Sequence, residues 1–184
     1  NGEIRRTYSR SPTQLGRLAP RPIEESGSYR FKLSYRPPYD WDALAGFLSA
    51  RATPGVESVD RSGYRRTIAI NGKTGTIAVA PVAGAPALAL EVRFADSNAL
   101  LTIVERVKRM FDVAADPAVI ATQLGGDPLL ARAWSAHQGI RVPGAWDPFE
   151  LAVRAILGQQ ISVRAATTIA GRVGARWGSP VDGG

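Results

Sequence analysis

The sequence predicts an α+β protein, in which a small antiparallel sheet domain with flanking helices precedes the first helices of an all-α domain. Residues 29–35 alternate apolar and polar side chains with the period of two that is typical of a half-buried strand. Asn71 and Gly72 separate two further strand-like runs and suit a two-residue type I′ hairpin, in which both positions need a positive φ. From residue 96 onward the apolar residues recur with the helical period of about 3.6.

The other elements of the sheet domain follow from the same patterns. A helix is predicted after Pro37 and Pro38, with Asp40 or Asp42 as its N-cap, and Pro54 ends it. Four further strands are predicted at residues 56–59, 64–70, 74–80 and 87–92.

A long helix is predicted from Asp96 or Ser97 to about residue 112, and it should cover the sheet. An apolar stripe at helical spacing indicates which side faces the core. That stripe consists of Leu100, Leu101, Val104, Val107 and Phe111.

The dipeptide Asp-Pro precedes three helix-like runs, with its aspartates at Asp116, Asp127 and Asp147. An aspartate can cap a helix, and proline fits the first helical position because no NH is needed there. Glu150 follows Asp147 by three residues, which predicts a capping box. We therefore interpret these aspartates as helix caps and not as catalytic groups.

Two final helices are predicted on either side of a polar break at residues 158–160, and Ser162 can cap the second. Trp146 and Trp177 are expected to pack in the core or at helix ends, and His137 is expected at the surface. The last helix is predicted to pack through Ile161, Ala165, Ile169, Val173 and Trp177.

Composition limits the possible chemistry. The chain has no cysteine and one histidine, which excludes disulfides, thiolate zinc sites and a histidine-rich metal site. The net charge of +7 suggests a polyanionic partner, but residues 1–36 hold eight Lys and Arg against three acids, so most of the excess lies in the first segment. No apolar run approaches the roughly 20 residues needed to cross a bilayer. A soluble cytoplasmic protein with no membrane association is expected.

Four segments are predicted. Residues 1–18 are interpreted as a helix end followed by a basic turn, and residues 19–28 have the proline, serine, glycine and acidic composition of a linker. Residues 29–113 form the sheet domain. Residues 114–184 begin a helical domain that the chain does not complete.

Two strings resemble the 3-methyladenine DNA glycosylase II family of the helix-hairpin-helix glycosylases. The first is RPPYDW at residues 36–41, followed by GFL at 46–48, and the second is LAVRAILGQQIS at 151–162, preceded by Pro143 and Gly144. The resemblance covers about residues 29–177 and implies an antiparallel front domain followed by helices that begin the catalytic domain. Residues 3–15 resemble the end of an AraC-type helix-turn-helix domain, as in family members fused behind an adaptive-response regulator.

The resemblance implies hydrolysis of the N-glycosidic bond of an alkylated base in double-stranded DNA, after the nucleotide is rotated out of the duplex. Catalysis would use electrostatic stabilisation and aromatic stacking, without a metal or another cofactor. The family's catalytic aspartate follows a Leu-Pro-Gly-Ile-Gly type hairpin, and this sequence contains no such hairpin. We therefore expect a monomeric fragment of a glycosylase that carries no catalytic residue.

The same resemblance assigns candidate DNA-binding residues to the polar break. In the family this loop inserts a side chain into the minor groove, where it fills the gap left by the flipped nucleotide. The candidates are Gln159, Gln160, Ile161 and Arg164. The wedge itself could be Gln160 or Ile161, because the best-known members have leucine at the position of Gln160.

Two residues had more than one interpretation. Phe47 matches a phenylalanine that reaches the base pocket in the family, but its helical spacing with Leu44 and Leu48 fits a core position equally well. Arg154 could meet a DNA phosphate or lie on an ordinary helix face. The alternative for the whole chain is a non-enzymatic DNA-binding or regulatory module, in which the sheet domain positions a helix-turn-helix unit.

Overall fold

The computed structural model describes residues 21–22 and 27–181. Within them, six strands form one antiparallel sheet in the order β1-β2-β6-β5-β4-β3, which confirms the α+β class. The strands are β1 (Arg21–Pro22), β2 (Ser28–Ser34), β3 (Glu57–Asp60), β4 (Gly63–Ile70), β5 (Lys73–Pro81) and β6 (Ala87–Phe94). The helices are α1 (Trp41–Ser49), α2 (Leu100–Met110), α3 (Pro117–Leu124), α4 (Pro128–Ala136), α5 (Pro148–Leu157) and α6 (Val163–Trp177), with a 3₁₀ turn at Ser97–Ala99. None of the helices in this described part has the length and apolar character required to span a membrane.

The predicted hairpin is confirmed. Asn71 and Gly72 have φ values of 51° and 75°, and Ile70 lies opposite Lys73 across the turn. Strand β3 begins one residue later than predicted because the NH groups of Val56 and Glu57 both donate to the carbonyl of Thr53 in the preceding turn.

The first two segments lie mostly outside the described residues. Nothing described bears on residues 1–18, the segment that resembles a helix-turn-helix end. Inside the predicted linker, Arg21 and Pro22 pair with Arg30 and Tyr29 as a short edge strand. The division of the chain into domains remains a prediction.

One face of the sheet carries the core, as the alternation in β4, β5 and β6 predicts. Leu44 and Leu48 of α1 and Ile103 and Val107 of α2 belong to the same buried cluster as the inward side chains of the strands. The predicted covering of the sheet by the long helix is therefore confirmed. The opposite face exposes charged side chains at Arg30, Lys32, Arg65, Glu91 and Arg93.

The predicted stripe of α2 was wrong at one position. Leu101 is 44% exposed, whereas Ile103 is fully buried. The helix proper begins at Leu100 after the 3₁₀ turn, so positions 100, 103, 104, 107 and 110 share its buried face and position 101 lies beside it.

The predicted N-caps are confirmed. The carboxylates of Asp40, Asp116 and Asp127 accept backbone NH groups of the helices that follow them, at 2.8, 3.0 and 2.8 Å. Asp147 accepts the NH of Glu150 at 3.0 Å. The reciprocal half of the predicted capping box was wrong, because the carboxylate of Glu150 accepts a hydrogen bond from a sheet residue instead.

The predicted packing of the last helix was also wrong in part. Trp177 is 75% exposed, and the buried residues of α6 are Ala170 and Gly171. A Cβ on Gly171 would lie 3.0 Å from the Pro54 ring, so a small residue allows α6 to approach the loop after α1. Trp146 is buried and His137 is exposed, as expected.

The segment between α4 and α5 is hydrogen-bonded to the loop that precedes α1. Arg141 is 4% exposed, and its guanidinium donates to the carbonyls of Arg36 and Pro38 at 2.6 and 2.8 Å and to that of Ala115 at 3.3 Å. It also lies over the ring of Tyr39, 4.8 Å from its centre. One side chain thus ties the start of α1 to the loop before α3.

Two buried phenols should make the fold sensitive to alkali. Burial raises the pKa of Tyr39 and Tyr64 above the ordinary value of about 10. The unfolded chain therefore ionises first, so the stability contributed by these groups is present below about pH 10 and falls as the pH rises above it. Urea unfolding at pH values from about 8 to 11 should show this loss, and the Tyr39→Phe/Tyr64→Phe double variant should lose less stability over the same interval. An equal decline in parent and variant would contradict the assignment.

Candidate DNA-contacting site

The polar break is an exposed turn between two helices. Helix α5 ends at Leu157, Gly158 caps it, and Gln159 and Gln160 are both exposed. Gln160 has a φ of 61°, in the left-handed region that reverses the chain and that non-glycine residues seldom adopt. The turn predicted from the sequence is therefore present at the surface.

Helix α6 starts directly after this turn. The hydroxyl of Ser162 accepts the NH of Ala165 at 3.2 Å, which confirms the second predicted cap. Ile161 is 41% exposed, and Arg164 is exposed in the first turn of α6. The four candidate DNA-binding residues thus lie on one short exposed segment, where an apolar, an amide and a cationic side chain are all available to a ligand.

Phe47 lies at the surface rather than in the core. Leu44 and Leu48 turn inward, while Phe47 is 42% exposed at the other side of α1. The guanidinium carbon of Arg51 lies 3.8 Å from the centre of its ring, and Arg51 also donates to the Phe47 carbonyl at 3.3 Å. The core interpretation is wrong, and the ring remains a candidate for stacking on a base.

Arg154 does not face outward to a phosphate. Its guanidinium lies 3.0 Å from a carboxylate oxygen of Glu57 in β3 and 3.7 Å from Glu150, one helical turn earlier in α5. Arg66 in β4 completes the group, because it bonds Glu150 at 2.6 Å and lies 3.7 Å from Glu57. Two carboxylates and two guanidiniums alternate in this four-charge cluster, so it is electrically neutral.

The cluster joins the sheet to α5 at a largely buried place. The side chains of Glu57 and Arg66 are about 5% exposed or less. Burial alone would lower the pKa of Arg66, but Tyr64 and the two carboxylates raise it on balance, so the guanidinium stays charged. Tyr64 also donates its hydroxyl to Glu57 at 2.6 Å.

A cleft of about 440 Å³ connects these features. Its lining includes Phe47 of α1, Arg51 just after that helix, Trp146, and Leu151 and Arg154 of α5. A larger depression of about 620 Å³ lies on the open face of the sheet, lined by Arg65 and Arg93 among others, and contains none of the candidate residues. The smaller cleft, with an aromatic ring and aliphatic side chains at its edge, is the better match to a site for a planar base.

Sequence reasoning missed the four-charge cluster and the stacking of Arg51 on Phe47. Arg51 carries no signal beyond its helical spacing, and Glu57 and Arg66 lie in ordinary strand patterns. Glu57 and Arg154 are 97 residues apart in the chain, and no local signal links them. The sequence offered one hint of the cluster. The alternation in β4 places Arg66 at an inward position, where a charged side chain is rare unless it is paired.

The fold and the exposed turn together define a class: an α+β protein in which an antiparallel sheet is followed by helices, with an exposed polar turn between the last two. The chain belongs to the AlkA N-terminal domain family, since the family model with that description matches residues 30–147. The family predicted from the two sequence strings is thereby confirmed.

Two relatives agree with this assignment, and a solved structure shares the fold. The "Probable bifunctional transcriptional activator/DNA repair enzyme AlkA" of Mycobacterium tuberculosis (strain CDC 1551 / Oshkosh) is 35% identical over 98% of this chain and 37% of that protein. The "DNA-3-methyladenine glycosylase 2" of Escherichia coli (strain K12) is 34% identical over 83% of this chain and 52% of that protein. A 3-methyladenine DNA glycosylase from Archaeoglobus fulgidus shares the fold with a TM-score of 0.73 at 19% identity, covering 83% of this chain and 52% of that one. The chain spans about half the length, or less, of these relatives.

Proposed function

We propose that this chain is the front portion of a DNA glycosylase that excises alkylated bases from duplex DNA by N-glycosidic bond hydrolysis. The observation that carries the proposal is the exposed turn at residues 159–161, which lies on the strings that resemble the glycosylase family. A relative at 35% identity is named as a DNA repair enzyme, and one at 34% identity is named as a DNA-3-methyladenine glycosylase. The complete protein would work as a cytoplasmic monomer on double-stranded DNA.

In this proposal the turn enters the minor groove while the damaged nucleotide rotates out of the stack. Extrusion costs a few kcal/mol of unstacking, which a side chain placed in the vacated space offsets. Gln160 or Ile161 supplies that side chain, and the exposed Gln159 and Arg164 contact the neighbouring backbone. Phe47, at the edge of the cleft, stacks on the extruded base.

The chemical step would be performed by residues outside this chain. The four cap aspartates Asp40, Asp116, Asp127 and Asp147 hold backbone NH groups and are thereby committed to structure. In the family that the sequence resembles, the catalytic aspartate follows a Leu-Pro-Gly-Ile-Gly type hairpin that this sequence does not contain, so we assign the proposed catalytic aspartate to the downstream part of the complete gene product. The opening segment, which resembles an AraC-type helix-turn-helix end, would belong to a fused regulator like that named in the mycobacterial relative.

Base release from methylated duplex DNA tests both parts of the proposal. The complete gene product should release 3-methyladenine, detected by chromatography of the soluble fraction. The 184-residue chain by itself should release no more than a buffer control. Failure of the complete protein would overturn the function, and turnover by the 184-residue chain would overturn the assignment of catalysis to the downstream part.

The module alternative predicts a different outcome in the same assay. A non-enzymatic regulator would bind DNA without releasing a base, even as the complete gene product. The mycobacterial relative, which aligns over nearly the whole chain, carries both an activator and a repair enzyme in its name. That observation favours the fused enzyme over the regulator alone.

A further inference from the structure

We propose that Arg154 is a positioning residue, which fixes the turn at residues 159–161 relative to Phe47 and so sets the distance between wedge and base cleft. The inference rests on the proposed function. It assigns a role to the four-charge cluster of Glu57, Arg66, Glu150 and Arg154, which is otherwise only a buried ion-pair group.

The way α5 is attached supports this role. Helix α5 has no fully buried residue among those described, and only Val153 and Leu157 among its apolar side chains are half-buried, so its apolar packing is limited. Glu150 and Arg154 are the α5 side chains that form ion pairs with β3 and β4. The following helix meets the front unit through the contact of Gly171 with Pro54. The contacts that orient the α5–α6 pair thus include the four-charge cluster and the small residues of α6, with Gly171 at Pro54 and Gly174 near Val56.

Arg154 lies between the two parts of the candidate site. It precedes Leu157, the last residue of α5, by three residues, which is about 4.5 Å along the helix axis, so a shift of this part of α5 moves the turn that follows it. Its other guanidinium nitrogen donates to the carbonyl of Arg51, whose side chain covers the ring of Phe47. The guanidinium of Arg154 therefore contacts the segment just after α1, and Arg154 itself belongs to the last turn of α5, directly before the turn at residues 159–161.

Orientation explains the cluster better than stability does. Buried ion pairs are often no more stabilising than apolar residues of the same volume, because both charges lose their hydration. Contacts between units of one chain allow relative motion unless they are large and hydrophobic. The contact between the sheet and α5 is made by the charged cluster and is not of that kind. Guanidinium groups, with donors in a rigid planar fork, restrict orientation in a way that lysine does not.

A distance measurement tests the positioning directly. The chain has no cysteine, so spin labels can be placed at Ser49→Cys, at the exposed end of α1, and at Thr168→Cys, on the exposed side of α6. Double electron–electron resonance should give a narrow distance distribution in this parent. Arg154→Gln should broaden it about twofold, and Arg154→Lys, which keeps the charge but not the fork, should broaden it less. Arg132→Gln, an exposed charge loss on α4, should leave it unchanged.

The functional arm uses the complete gene product. Arg154→Gln should lower excision from fully paired duplex about tenfold, since small misplacements of a positioned group are costly. Excision of the same base from single-stranded DNA should fall much less, because no gap has to be filled there. A merely destabilised enzyme would lose both activities in proportion.

The outcomes separate the two proposals. Unchanged distance distributions in both Arg154 variants would overturn the positioning role, whatever the enzyme does. If Arg154→Gln fails to fold, the distance distribution of Arg154→Lys becomes the test. A distribution equal to that of the parent would then overturn the positioning role. If the wild-type complete protein excises nothing, the proposed function fails, while the distance measurement still judges the geometry.

Discussion

Replacing Arg141 with alanine is expected to lower the free energy of unfolding by about 3 kcal/mol. The change removes a guanidinium that donates to the carbonyls of Arg36, Pro38 and Ala115. Each of these part-buried hydrogen bonds involves a charged donor, and its loss costs about 1 kcal/mol or more. The loss of the contact with the ring of Tyr39 adds to this, so the start of α1 should loosen as a whole.

Urea unfolding of Arg141→Ala and Arg141→Lys measures the effect. Lysine keeps the charge, but one ammonium group cannot reach three carbonyls on two loops, so it should recover less than half of the loss. Arg132→Gln, on an exposed helix face, is the matched control and should change stability by no more than about 0.5 kcal/mol. A loss below about 1 kcal/mol in Arg141→Ala would show that water replaces these hydrogen bonds.

Replacing Gln160 with glycine should leave the stability of the fold nearly unchanged while it removes the side chain that is proposed as the wedge. Gln160 has a positive φ, and glycine at this position relieves steric strain of about 1 kcal/mol in the folded state. Glycine also gives the unfolded chain more conformational freedom, which cancels a similar amount of this gain. Stability should therefore stay within about 0.5 kcal/mol. If Gln160 is the wedge, the complete gene product should lose up to about 100-fold in excision from paired duplex, because unstacking by a few kcal/mol is no longer offset.

Ile161→Ala is the companion variant that decides between the two wedge candidates. Ile161 is partly exposed, so truncation should cost little stability. The variant with the larger loss on duplex DNA and the smaller loss on single-stranded DNA identifies the wedge. Full duplex activity in both variants, with the fold intact, would remove the proposal that this turn fills the gap.

Local sequence patterns were sufficient to predict the structure wherever it is determined by residues that are close together in the chain. Asn71 and Gly72 form the hairpin because their conformational preferences match it, and Asp116 and Asp127 cap helices because the acceptor and the free NH groups lie within three residues. The exposed turn at Gln160 followed from the same local reasoning. These features needed no knowledge of the rest of the molecule.

Partners distant in the chain were not predictable in this way. Glu150 had the spacing of a capping box, but a buried guanidinium 84 residues away binds it more strongly than a local NH. Phe47 had a spacing that fitted the core, yet Arg51 covers it at the surface. Trp177 had helical spacing with apolar residues, but the close approach of Gly171 to Pro54 turned another side of α6 inward.

The sequence alone determined the α+β class, the order of the elements, the helix caps, the turn at residues 159–161 and the family, because each depends on residues close together or on contiguous strings. Tertiary structure decided which charges meet and which apolar residues remain at the surface. The reason is physical: a side chain's burial and its ion-pair partner depend on the surfaces brought together by folding, and Glu57, Arg66 and Arg154 become neighbours only when β3, β4 and α5 have packed.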